Sequence, residues 1–131
     1  MTPDLIEFSA KGDERGVLVA VEGDRTIPFS IQRAYYIYDN LASTRRGFHA
    51  HRETRQVAIC VRGSCVFALD DGRTRADVRL DRPTVGLLVE PMVWHEMYDF
   101  SPDCVLLMLA DTPYDERDYI RDYHRFLEEL T

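Results

Sequence analysis

Cysteine is scarce in this chain: Cys60, Cys65 and Cys104 are the three present in 131 residues. Their spacing matches no metal-binding pattern, and three thiols cannot all pair within one chain. Each lies in an apolar run, so they read as buried thiols in a reducing compartment. Long apolar runs are missing as well, and none approaches the length of a membrane span. The first residues show no basic region leading into an apolar stretch. No secretory leader is therefore expected, and a cytoplasmic setting is. Basic charge is in the minority, with 16 Lys and Arg against 23 Asp and Glu, a net charge of −7. That balance argues against nucleic acid or an anionic membrane as the main partner. Any anionic ligand must be met by a local group of arginines.

What is present is an ordinary globular composition, 45% hydrophobic, in a length suited to one domain over residues 1–131. Short apolar segments alternate with turn signals: Val17–Val21 before Glu22-Gly23-Asp24, Ser30–Tyr38 before Asp39-Asn40, and Gln56–Val61 before Arg62-Gly63. Ser64–Leu69 runs into Asp70-Asp71-Gly72, a hairpin signal, and Arg75–Leu80 alternates polar and apolar residues. Val85–Val89 and Cys104–Leu109 are continuously apolar, as strands buried on both faces are. Eight or more strands at this spacing predict an all-β antiparallel sandwich or barrel, with a jelly roll the leading form. From about residue 114 the pattern changes. Tyr119, Tyr123, Phe126, Leu127 and Leu130 recur at helical spacing, and Pro113 and Asp115 suggest the start of a C-terminal helix.

Chemistry concentrates in Gly47-Phe48-His49-Ala50-His51 and Pro91-Met92-Val93-Trp94-His95. On a strand His49 and His51 share a face, one pleat apart. His49-x-His51, Gln56, Gly63, Pro91 and His95 follow the spacing of the cupin motifs, whose metal-binding members use three His and a Glu. Gln56 stands at the Glu position, and a neutral amide is a weak partner for a cation. Without a metal, the same imidazoles make a proton-transfer site, since imidazole titrates near neutrality. Arg15, Arg33 and Arg46 are candidate phosphate clamps. Tyr35, Tyr36 and Trp94 are candidate stacking surfaces for a base or sugar.

Taken together, Arg33–Asp39, Arg46–His51, Gly63–Cys65, Val93–Met97, Asp13–Gly16 and Tyr114–Arg121 resemble the sugar 3,4-ketoisomerases over nearly the whole chain. The resemblance implies a dimeric cupin-type barrel that needs no metal or other cofactor. Its substrate would be a thymidine-diphosphate-linked (dTDP) 4-keto-6-deoxyglucose, whose carbonyl moves from C4 to C3 to supply 3-amino-3,6-dideoxy sugars. It implies His49 as the base at C3, His51 as an assistant in proton traffic between the two oxygens or a group that positions the sugar, and Arg46 near the diphosphate. Arg15 with His95 resembles the branch whose product is the 3-keto-6-deoxygalactose; the gluco branch tends to carry Tyr and Arg there. Three alternatives to this reading are a gluco-product enzyme, a metal-dependent cupin enzyme and a non-catalytic nucleotide-sugar-binding cupin. A nucleotide-sugar epimerase is a related one.

Overall fold

The computed structural model describes all residues, Met1–Thr131. The strands are β1 (Asp4–Glu7), β2 (Ala10–Asp13), β3 (Gly16–Val19), β4 (Arg33–Tyr38), β5 (Arg46–His51), β6 (Gln56–Arg62), β7 (Cys65–Asp70), β8 (Arg75–Leu80), β9 (Val85–Val89), β10 (Trp94–Tyr98), β11 (Val105–Ala110) and β12 (Tyr119–Ile120). A 3₁₀ turn, Glu116–Asp118, precedes β12, and one helix, α1 (Tyr123–Glu129), follows it. Two antiparallel sheets run β1-β9-β6-β11-β4 and β12-β5-β10-β7-β8, and β2 with β3 forms a separate hairpin. Strands β4 to β11 pass back and forth between the sheets in the manner of a jelly roll, except that β7 and β8 form a hairpin within one sheet; β1 and β12 each extend one edge.

Local chemistry accounts for the elements. In β8 the apolar Ala76, Val78 and Leu80 turn inward while Arg75, Asp77 and Arg79 face water. The hairpin from β7 closes where Gly72 takes a φ of 89° and the Asp71 carboxylate accepts from the amides of Arg73 and Thr74. Val85–Val89 is buried throughout, as its unbroken apolar sequence predicts. Between the sheets, Phe67, Leu69, Leu80, Leu87, Leu106 and Met108 form the main core. Phe8, Ile27, Phe29 and Leu88 belong to a second apolar cluster, and Ala50, Trp94, Ile120 and Phe126 to a third.

The C-terminal segment departs from the expected helix. Asp115 caps only the short 3₁₀ turn, accepting from the Arg117 amide. The chain then extends as β12 along β5, and α1 begins at Tyr123 with Asp122 as its N-cap. The 4-then-3 spacing of Tyr119, Tyr123 and Phe126 imitates a helix across this boundary.

Candidate active site

Register builds the site around β5. His49 lies opposite His95 on β10, and His51 lies opposite Tyr119 on β12. The β5–β10 register slips by one residue between His95 and Glu96, leaving Phe48 unpaired at a φ of 59°. Such a bulge re-aims neighbouring side chains. Gly47 makes it possible: its φ is 90°, and a Cβ there would lie 2.7 Å from the His95 carbonyl oxygen. Ring centroids of His49 and His95 are 4.5 Å apart, those of His49 and His51 5.0 Å, and those of His51 and His95 6.0 Å. Tyr119 sits 4.4 Å from His51 and 5.0 Å from His49.

Each imidazole is tethered from behind. His49 Nδ1 is 3.0 Å from the Gly47 carbonyl, His95 Nδ1 is 3.2 Å from the Val93 carbonyl, and His51 Nδ1 is 2.9 Å from Asp118 Oδ2. A carbonyl only accepts, so Nδ1 carries the proton in His49 and His95. The Nε2 atoms of His49 and His51 are buried without a partner. Burial holds all three imidazoles toward the neutral form. His49 is pushed down to about 4, His51 is lowered despite the opposing pull of Asp118, and the fully enclosed His95 falls well below its ordinary value. The site thus presents neutral imidazoles with open lone pairs, the state a base requires.

A cavity of about 230 Å³ opens in front of His49 and His95, walled also by Tyr35, Arg46, Tyr119 and Arg121, and His51 adjoins it against His49 and Tyr119. No carboxylate lines it, although the chain as a whole is acidic. Tyr35 accepts from Gln56 Nε2 at 2.8 Å, and burial raises its phenol to about 12, so it remains a neutral donor. Arg33 stands beside this wall with its guanidinium 5.4 Å from the Tyr35 ring and 5.8 Å from Tyr114; its Nε and Nη2 are buried and unpartnered. An orphaned buried guanidinium calls for an anion. Arg46 makes only a long contact to Asn40 Oδ1, 3.4 Å. One ring nitrogen of each histidine lies within 4.8 Å of the other two, a spacing that also suits a cation. Gln56, which stands at the cupin Glu position in the sequence, donates its amide nitrogen to Tyr35, and three neutral imidazoles supply no negative charge to a dication.

Three of the expected ligand-contacting residues lie outside this cavity. Trp94 points opposite to His95, as adjacent strand residues must. It packs on Tyr123 and Phe126 and donates from Nε1 to Glu96. Tyr36 likewise faces outward from β4, 66% exposed, beside Tyr38. Arg15 sits at the turn between β2 and β3, with an 84% exposed side chain paired to Asp13. Conversely, Tyr119, Asp118 and Arg121 escaped the residue-by-residue reading, although Tyr114–Arg121 was among the segments that carried the resemblance.

Comparison with known proteins gives this arrangement a lineage. The family described as FdtA: WxcM-like, C-terminal matches residues 1–131. A curated TDP-4-oxo-6-deoxy-alpha-D-glucose-3,4-oxoisomerase from Aneurinibacillus thermoaerophilus is 52% identical over 126 residues, 96% of this chain and 91% of that protein. The chain belongs to the sugar 3,4-ketoisomerase family. Its activity is that of an intramolecular oxidoreductase. A 3,4-ketoisomerase from Helicobacter canadensis superposes with a TM-score of 0.95 at 45% identity, covering 99% of this chain and 98% of that one. A sugar 3,4-ketoisomerase from Thermoanaerobacterium thermosaccharolyticum, solved in complex with TDP, gives 0.95 at 42% identity over 97% and 93%. The jelly roll is therefore the cupin-like barrel of these enzymes.

Proposed function

We propose that the chain converts dTDP-4-keto-6-deoxyglucose to dTDP-3-keto-6-deoxygalactose by imidazole proton transfer, without a metal. The observation that carries this reading is the pair of buried, unpartnered Nε2 atoms on His49 and His51 beside a cavity with arginines and no carboxylate. His49 takes the proton from C3, which the neighbouring carbonyl acidifies, to give an enediolate. O4 gains a proton and O3 loses one, with His51 between them; C4 is then protonated and C3 becomes the carbonyl. Tyr35 and Tyr119 are the donors available to the oxyanion. Arg33 and Arg46 meet the diphosphate.

His95 is too enclosed to hold a proton readily, which favours its orienting a water that delivers hydrogen to C4. The galacto product rests on the pairing of His95 with Arg15. Within one chain Arg15 stands away from the cavity, on a hairpin whose Val17 and Leu18 are 71% and 60% exposed. Apolar residues so displayed suit burial against a second copy, and we infer a homodimer in which this hairpin brings Arg15 toward the partner's site. The buried thiols are in keeping with the cytoplasm. The test is proton NMR in ordinary water with dTDP-4-keto-6-deoxyglucose. A 3-keto product with a small H4–H5 coupling supports the galacto assignment, and a large one establishes the gluco branch. No conversion overturns the reading, and conversion only after adding a transition metal would establish the metal-dependent alternative.

A further inference from the structure

Three imidazoles share the site, but what stands behind them differs. His49 and His95 face main-chain carbonyls; His51 alone faces a carboxylate. Asp118 is itself held on every side. Its Oδ1 accepts from the Glu53 amide at 2.7 Å, and its Oδ2 accepts from Thr54 Oγ1 as well as from His51. Thr112 Oγ1 lies 2.7 Å from Thr54 Oγ1. Since Thr54 gives its own proton to Asp118, Thr112 donates to Thr54, and each of these hydrogen bonds is directed at the carboxylate. Burial favours protonating Asp118, yet the donors Thr54, Glu53 and His51 outweigh it and keep its pKa lowered.

We propose that Asp118 is a positioning residue: it fixes the His51 proton on Nδ1, leaves Nε2 open toward the sugar, and stabilises the positive charge that His51 takes on while a proton passes between the two oxygens. The physical basis is the difference between a formal negative charge and a carbonyl dipole where both partners are largely buried. A proton arriving on His51 Nε2 completes an ion pair with Asp118. A proton arriving on His49 or His95 has only a main-chain carbonyl behind the ring. This divides the work: His49 abstracts, His51 holds the proton in transit between the two oxygens, and His95 remains neutral. The division of roles rests on the ketoisomerase reading; the His51 tautomer does not.

The test joins ¹⁵N-histidine NMR of the ligand-free protein with turnover kinetics. In the native protein His51 is expected with Nδ1 protonated and Nε2 bare; a bare Nδ1 overturns the proposal without any variant. Asp118→Asn should shift His51 toward the Nε2–H tautomer and lower kcat by about 10²- to 10⁴-fold, with affinity for TDP unchanged. Asp118→Glu, which restores an anionic acceptor, should recover the Nδ1–H tautomer and part of kcat. In a His51→Asn background Asp118→Asn should change kcat no further, because a residue acting through His51 has nothing left to position. Retention of the native tautomer in Asp118→Asn, or an equal loss in both backgrounds, overturns the proposal. If the native protein does not turn the sugar over, the ketoisomerase reading fails while the NMR still decides the role of Asp118.

Discussion

Two triads of ligand-type side chains lie inside one barrel, and only one of them is built for chemistry. His49, His51 and His95 bring ring nitrogens within 4.8 Å of one another, and so do the sulfurs of Cys60, Cys65 and Cys104. The difference lies in their surroundings. The thiols sit among Phe67, Leu80, Phe100 and Leu106, with Cys60 Sγ 3.5 Å from Cys65 Sγ and 3.8 Å from Cys104 Sγ. They satisfy one another, and mutual contact with burial pushes the Cys60 and Cys104 thiols upward, away from the reactive thiolate. The imidazoles have their outer nitrogens fixed by designed acceptors and their inner ones left unpaired beside a polar cavity. Proximity of ligand atoms therefore does not make a site; unpaired lone pairs facing an opening do.

The sharpest way to break this comparison is to mutate both triads. His49→Asn should lower kcat by at least about 10²-fold with TDP affinity preserved, whereas Cys60→Ala should leave kcat within about twofold, both by direct assay. Equal losses would erase the distinction. Next in size, Arg33→Met should weaken TDP by about tenfold or more in calorimetry, the order expected for losing charge-assisted hydrogen bonds. Unchanged affinity would place the diphosphate elsewhere. Third, Cys104→Ser introduces a hydroxyl into the apolar triad and should cost about 1–3 kcal/mol in denaturant unfolding while kcat holds; a lost activity with intact stability would give the thiols a role.

Acid separates the triads in another manner. The folded pKa of His49 is depressed to about 4 from an ordinary 6.5, so the unfolded chain binds the proton more readily in that interval. His51 and His95 shift the same way. Their contribution to stability is complete above about pH 6.5 and is lost progressively as pH falls toward 4. His49→Asn should therefore flatten the decline in melting temperature across that window, while Cys60→Ala should not. The smallest effect belongs to Tyr36→Ala, which removes an outward-facing ring and should leave TDP affinity within about twofold; a large loss would put Tyr36 at a ligand.

Much of this contrast was legible before the fold was known, and the reasons are local. The period of two aligns His49 with His51 on any strand, and the apolar runs around the cysteines foretell their burial. The meeting of the three thiols was not legible, because the 5- and 39-residue separations between them fit no local pattern. Alternation also warns that Trp94 and His95 cannot share a cavity, nor Tyr35 and Tyr36; which member of each pair faces in depends on the sheet packing. Tyr119 and Asp118 were hidden by a helical spacing that begins one element too early. The carboxylate behind His51 comes from 67 residues along the chain and is brought there by the β12–β5 pairing and by hydrogen bonds from Glu53 and Thr54.

The central claim is that the histidine triad moves protons on its own. It is tested most directly by NMR in deuterated water, with dTDP-4-keto-6-deoxyglucose and protein stripped of metal by a chelator. The expected result is conversion, up to equilibrium, to a 3-keto sugar carrying deuterium at C4, at a rate unchanged by added iron, manganese or nickel. Loss of conversion on stripping, restored by one of those ions, would contradict it.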